Sequence, residues 1–173
     1  MAREIYRGRI VNLRVEEVRL PNGAVTELEL MHHPGASAVA AVDEREHVTL
    51  IRQYRHAAGG YLWELPAGVL EPGEAPATCA ARELREETGL TADEIRPLGS
   101  IMTTPGFCDE RIHLFLARGL HEAEHAHEYD EVIAEIRRVP VRDALAMVER
   151  GEIVDGKTVV GLFLAANALG AAA

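Results

Sequence analysis

The sequence predicts an α+β fold or an α/β/α sandwich with a mixed sheet, and three observations predict it. Short segments with strand-like alternation dominate the front of the chain, one strongly helical segment interrupts them, and two further helical segments close it. Strands and helices do not take turns as a repeated βαβ fold requires. The 173 residues suit one compact unit with a sizeable core.

The first segment is a hairpin. Val11, Leu13 and Val15 alternate with polar residues, Pro21-Asn22-Gly23 supplies the turn, and Leu28 and Leu30 continue the return strand. Val18 and Leu20 fall out of phase with the first trio, which a bulge near Glu16-Glu17 would repair. Ala36–Val42 and Val48–Tyr54 form a second strand pair around the charged turn Asp43-Glu44-Arg45-Glu46, and Tyr61–Leu65 is a further short strand. Helical periodicity takes over from Ala75 to Thr88, with Pro76 suited to the first turn and Gly89 to the left-handed position past the end. Strands return at Ile95–Thr103, at Arg111–Ala117 and at Val132–Val139. A second helix spans Val141–Arg150, stopped by Gly151, and a third follows Asp155-Gly156. The alanine-rich tail, Ala165–Ala173, is expected to fray.

Composition narrows the function. Apolar residues make up 47% and charged residues 27%, which describes a folded chain rather than a disordered one. A formal charge of −10 argues against a general nucleic-acid or anionic-membrane surface, although phosphates remain accessible through metal ions. Cys79 and Cys108 are too few for a disulfide framework and form no CxxC pair, so free thiols in a reducing compartment are expected. The start MAREIYRGRI has no apolar core of a secretory signal, and the apolar stretch Val159–Ala166 is far shorter than the ~20 residues that span a bilayer. A cytoplasmic enzyme or binding protein is the expectation.

The chemistry concentrates in Gly68–Leu90. On a helix Glu83, Glu86 and Glu87 stand at i, i+3 and i+4, so three like charges share one face. Glu74 and Glu71 add to the excess just before the helix. Hard divalent cations such as Mg²⁺ or Mn²⁺ relieve such repulsion, because they take oxygen ligands and bridge carboxylates to phosphates. An isolated pair of glutamates would read as a solvated face with an Arg82 to Glu86 partner.

The wider spacing changes that reading. Gly68, Glu74, Arg82, Glu83, Leu84, Glu86, Glu87, Gly89 and Leu90 fill all nine specified positions of G-x5-E-x7-R-E-U-x-E-E-x-G-U, where U is bulky and aliphatic. In this the chain resembles the Nudix hydrolases. The resemblance implies a Nudix α/β/α sandwich with a mixed sheet, preceded by the antiparallel hairpin. Residues 1–35 would be an N-terminal dimerising segment and residues 36–173 the hydrolase domain. It also implies a loop-helix-loop that holds Mg²⁺ or Mn²⁺ against a nucleoside diphosphate linked to another group. By carry-over Glu83, Glu86 and Glu87 look like metal ligands, as does the carbonyl of Ala67, while Arg82 and Glu74 brace the loop. Metals bridging a pyrophosphate neutralise it, polarise phosphorus and lower the pKa of the attacking water.

Flanking segments are similar to the ADP-ribose pyrophosphatase branch: Arg52-Gln53-Tyr54-Arg55, Trp63-Glu64-Leu65-Pro66-Ala67-Gly68, Thr104-Pro105-Gly106-Phe107-Cys108, and Tyr6-Arg7-Gly8-Arg9-Ile10. Pro105 and Gly106 mark that branch and by carry-over are expected to bind the substrate, while the same pair is ordinary turn punctuation. Arg55 is expected to contact phosphate or ribose through its planar guanidinium. Glu64 and Glu71 are expected to bond ribose hydroxyls or organise the site, with solvated carboxylates as the bland alternative. Phe107 is expected in the core, with packing beside the substrate as the functional alternative, and Trp63 either lines the pocket or is buried. His121, His125 and His127 are expected to be solvent-exposed rather than zinc ligands.

The leading expectation is metal-dependent hydrolysis of ADP-ribose to AMP and ribose 5-phosphate. Hydrolysis of another nucleoside diphosphate sugar such as GDP-mannose, and a non-catalytic ligand sensor, are the rivals. The resemblance implies a homodimer in which the hairpin carries Arg9 and Ile10 to the partner's pocket. It also implies a general base in the loop His127-Glu128-Tyr129-Asp130-Glu131. Glu131 is the first choice, Glu128 or Asp130 the register alternatives, and Glu86 the fallback within the box.

Overall fold

The computed structural model describes residues 2–123 and 132–170. Strands β1 (Ala2–Arg7), β2 (Asn12–Arg19) and β3 (Val25–His32) form a three-stranded antiparallel sheet in that order. The expected hairpin therefore has a third strand. Ala2–Arg7 gave no alternating signal because all six of its residues are exposed, so no face of it selects apolar side chains. The β2–β3 ladder runs unbroken from Asn12↔His32 to Arg19↔Val25, so the bulge expected near Glu16-Glu17 is absent. The phase change at Val18 needs no repair because β2 is half-buried along most of its length, on both faces. The register shift lies between Glu4 and Tyr6 on β1 instead.

Strand β4 (Ala36–Ala41) is buried at every residue, which explains its continuous run of small apolar side chains. It sits inside a mixed sheet ordered β7 (Ala67–Val69), β4, β9 (Arg111–Glu122), β8 (Leu90–Met102), with β4 and β9 parallel. Alternation sorts the two faces. Val39 and Ala41 of β4 and Phe115 and Ala117 of β9 pack with Ala80 and Leu84 of helix α1 (Pro76–Thr88). On the opposite face Ala40 and Leu116 join Leu162 and Ala165 of the C-terminal helix α3 (Gly156–Leu169), together with Ala144 of α2 (Val141–Glu149). Two helical layers thus cover one sheet, the predicted sandwich.

The second strand pair is corrected. Strand β5 (His47–Arg55) leaves β4 and enters a separate antiparallel sheet between β10 (Ile133–Pro140) and β6 (Gly60–Glu64). Only the Val42↔Val48 bridge joins β4 and β5 across their turn. The expected fraying from Ala165 is also corrected, since α3 continues to Leu169 with Ala165 and Ala166 buried. Among the described residues no helix is long and apolar enough to cross a membrane.

Candidate functional site

Helix α1 begins where its sequence dictates. Pro76 occupies the first turn, the amides of Thr78 and Cys79 donate to the Ala75 carbonyl, and the Ser37 hydroxyl donates to the Pro76 carbonyl at 2.8 Å. Gly89 ends the helix at φ 66°, its amide closing on the Arg85 carbonyl at 2.9 Å. Between β7 and α1 the loop is tied by Glu74. Its carboxylate accepts the Glu71 amide at 3.0 Å and the Arg82 guanidinium at 3.0 and 3.1 Å. The bond from Arg82 holds the Glu74 carboxyl below its ordinary range, and that same bond holds Arg82 protonated.

Arg82 also donates to Glu83 Oε1 at 2.6 Å, Glu86 Oε2 at 2.9 Å and the Val69 carbonyl at 3.2 Å. One guanidinium thus faces three carboxylates, while Arg85 is exposed on the other side of the helix. Glu83 and Glu87 are 6% and 1% exposed, so the solvated-face reading of the helix fails. Glu87 Oε2 accepts the Ala67 amide at 2.8 Å. Gly68 makes room for Glu83, because a Cβ on Gly68 would fall 1.8 Å from Glu83 Oε1. As placed, no three His, Cys, Asp or Glu side chains among the described residues meet at one point. Arg82 engages Glu83 and Glu86 while Glu87 reaches for the Ala67 amide. The donor set is nonetheless all hard oxygen with an excess of negative charge, which fits Mg²⁺ or Mn²⁺ and does not fit a soft metal. Cys79 beneath it is inert: burial, then the charges of Glu83 and Glu74, push its thiol up to about 11.

The box helix borders a cleft of about 1110 Å³, room for a ligand with two bulky ends. Ala67, Gly68, Glu71 and Glu83 line it on one side, and Arg55 on another. Arg9 and Ile10 line this same cleft within their own chain. Glu64 lies beneath the wall, 1% exposed, and takes Arg55 Nε and Nη2 on its two oxygens at 2.8 Å each. It is therefore an organiser of Arg55. Burial opposes its charge, but Arg55 and Lys157 overcome that and keep the Glu64 carboxyl below its ordinary range.

Other expectations land elsewhere. Pro105 and Gly106 form an exposed turn outside the cleft lining, whereas Thr103 and Glu110 of the same loop line it and bond each other at 2.8 Å. Phe107 is 53% exposed, not core; its backbone carbonyl accepts the Met31 amide at 2.7 Å, one of the bonds that tie the loop to β3. Trp63 packs partly buried on the core under the guanidinium groups of Arg52 and Arg137. His121 is exposed and paired with Asp93 at 2.9 Å. Glu131, Glu128, Asp130 and Tyr129, with His125 and His127, lie outside the described residues.

Sequence reasoning missed Lys157 and Asp155. Both line the cleft, and Lys157 reaches Glu64 Oε2 at 2.5 Å and Asp155 Oδ2 at 3.0 Å. Asp155-Gly156 was legible only as a helix start, and Asp155 does cap α3, accepting the Thr158 amide at 3.0 Å.

A NUDIX domain model matches residues 31–159. The chain is 42% identical over 156 residues to an ADP-ribose pyrophosphatase of Bacillus subtilis, covering 90% of this chain and 84% of that protein. It is 41% identical over 161 residues to an ADP-ribose pyrophosphatase of Mycobacterium tuberculosis, covering 91% and 77%. A crystal structure of an ADP compounds hydrolase superposes with a TM-score of 0.84 at 23% identity, covering 98% of this chain and 92% of that one, a likeness of fold.

Proposed function

From the premise that the chain belongs to the NUDIX domain family, we propose that it hydrolyses ADP-ribose to AMP and ribose 5-phosphate by water attack on one phosphorus. The observation that carries this reading is the buried carboxylate of Glu83 on α1 lining the same cleft as Arg55, with the buried Glu87 on the same helix. The ADP-ribose pyrophosphatases at 42% and 41% identity support the substrate.

Glu83, Glu86, Glu87 and the Ala67 carbonyl are the residues that would hold the cation, Mg²⁺ or Mn²⁺. When bound, the ion neutralises the diphosphate and acidifies the attacking water. Arg82 and Glu74 keep the loop and the glutamates in place before it arrives. Arg55, held by Glu64, offers its remaining N–H groups to phosphate oxygens or the ribose. Glu131 is the proposed general base that takes the proton of the attacking water, with Glu86 the next choice. Residues 1–35 are proposed as a dimerising segment, supported by the exposed Ile5, Tyr6 and Val25 as an apolar contact, while Arg9 and Ile10 are proposed as substrate contacts in the cleft of their own chain that they line. The free, buried Cys79 and Cys108 support a cytoplasmic setting.

One substrate panel tests the reading. ADP-ribose, GDP-mannose and other nucleoside diphosphate sugars are assayed with Mg²⁺, with Mn²⁺ and with EDTA, on the wild type and Glu131→Gln. Metal-dependent release of AMP, with ADP-ribose giving the highest kcat/KM and Glu131→Gln losing ~10²–10⁴ in kcat, is the expected result. Preference for GDP-mannose would move the substrate. Binding without turnover of any compound would make the protein a sensor.

A further inference from the structure

Lys157 is the single lysine among 18 lysine and arginine residues. The others are all arginine. The exception sits at the start of α3, its side chain only 11% exposed, between two carboxylates. Its ammonium donates to Glu64 Oε2 at 2.5 Å and to Asp155 Oδ2 at 3.0 Å. Asp155 is fixed in turn by the Thr158 amide at 3.0 Å and hydroxyl at 2.6 Å, and that hydroxyl accepts the Leu65 amide at 2.8 Å. The end of β6 and the start of α3 are thereby joined through one polar network.

The network has a direction. Glu64 Oε2 receives both Arg55 Nη2 and Lys157 Nζ, while Oε1 receives Arg55 Nε. Asp155 balances the charge of Lys157, so what Lys157 adds is geometric: a second donor, from the start of α3, that fixes Glu64 Oε2 and, through that carboxylate, the direction in which Arg55 points. The side-on fork that binds Glu64 uses only part of the guanidinium, so its other N–H groups remain outside that pair. Arg55 is 39% exposed at the cleft and can meet a ligand there.

We propose that Lys157 is a positioning residue for substrate binding, which shares the Glu64 carboxylate so that Arg55 is aimed at the substrate's diphosphate. The proposal rests on the reading of the cleft as a nucleoside diphosphate site. It assigns Lys157 no contact with the reacting atoms. Its effect passes through Glu64 and Arg55, so it belongs to binding common to ground and transition states.

The test is steady-state kinetics and thermal unfolding on Lys157→Met, Lys157→Arg, Glu64→Gln and the Glu64→Gln/Lys157→Met double variant. Wild-type turnover across the panel reports on the substrate reading alone. The ratios of variants to wild type, on whichever diphosphate is cleaved, report on Lys157. Lys157→Met should raise KM about tenfold with kcat within about threefold, the signature of lost uniform binding. Lys157→Arg, which restores the charge, should recover most of that loss. In the Glu64→Gln background, Lys157→Met should add less than about twofold, because the carboxylate that transmits its effect is gone. A KM unchanged in folded Lys157→Met, an Arg variant no better than Met, or a full tenfold effect persisting without Glu64 would each overturn the proposal. Isotopic labelling at lysine gives one side-chain Nζ signal, and that signal should move when ADP-ribose is added; a signal indifferent to saturating ligand would also overturn it.

Discussion

Two acidic clusters border the cleft, and they differ in charge balance. At α1 and the loop that leads into it, Glu74, Glu83 and Glu86 share the single guanidinium of Arg82, and Glu87 lies on the same helix. At the junction of β6 and α3, Glu64 and Asp155 meet Arg55 and Lys157, two acids against two bases. Both clusters are largely buried, so desolvation alone does not separate them. The difference is that the second is complete as folded, whereas the first has anionic oxygen to spare. A balanced buried network holds geometry, and an unbalanced one recruits a cation.

The widest separation between the clusters should come from removing one charge from each. Glu83→Gln or Glu87→Gln should cost far more activity than the roughly 10–100-fold typical of losing an outer-sphere metal partner, with Tm changed little, because each relieves repulsion among like charges. Glu64→Gln should do the reverse. It leaves two cations facing a neutral amide and should cost about 1–3 kcal/mol of stability, read by urea unfolding, with divalent-metal affinity retained. The sign follows from pH as well. Glu64 is held below its ordinary range, so its stabilisation is complete above the unfolded carboxylate value and is lost as pH falls through the lower folded value. Full turnover in EDTA, or in both glutamine variants on α1, would erase the contrast.

A smaller effect probes how the unbalanced cluster is shaped. A Cβ on Gly68 would lie 1.8 Å from Glu83 Oε1 and 2.1 Å from its Cδ, so Gly68→Ala must push Glu83 out of place. The expected cost is about 1–3 kcal/mol of overpacking, accompanied by weakened metal binding in isothermal titration. Gly60→Ala, where nothing lies within 4 Å of the added carbon, is the control and should bind metal normally. Equal metal affinity in the two variants would show that Gly68 shapes only the turn.

The same contrast explains what the sequence disclosed. The α1 cluster was legible because its residues are three and four apart on one helix, and because Pro76 and Gly89 mark the ends of that helix in the chain itself. The balanced cluster was not, since Lys157 and Glu64 are 93 residues apart and only the docking of α3 on β6 joins them. Strand β1 was missed because exposure on both faces removes periodicity. The turn Asp43–Glu46 suggested a hairpin, but its flanking strands part into different sheets, a tertiary choice that local turn chemistry does not encode. Arg55, expected to contact phosphate or ribose, does line the cleft; Glu64, expected to bond ribose hydroxyls or organise the site, is buried as the partner of Arg55, and a lone glutamate in the sequence does not disclose which of the two roles burial selects.

The smallest effect concerns a third ion-paired contact, outside both clusters, where the N-terminal sheet meets the loop after β8. His32 at the end of β3 places Nδ1 2.6 Å from Asp109 Oδ2 and Nε2 2.8 Å from Glu16 Oε1. Both ring nitrogens must donate to satisfy both carboxylates, which only the imidazolium can do. The bonds to Glu16 and then Asp109 accordingly raise its pKa from the ordinary 6.5. Asp109 also accepts the His33 amide at 2.8 Å, so the contact ties the N-terminal sheet to the loop that carries Glu110 into the cleft. Because the folded value is the higher one, the stabilisation is complete below the unfolded value and is lost as pH rises through the folded one. Asp109 is held below its ordinary range and sets the opposite limit, where acid removes its charge. Hydrogen exchange of β2 and β3 should therefore be slowest at mildly acidic pH relative to His32→Gln, and the two proteins should converge in alkali. With the ring about one-third exposed, the difference should stay within the roughly 0–1 kcal/mol of a solvent-screened pair. A difference that grows with rising pH would mean the ring is neutral in the fold and bonds only one of its two carboxylates.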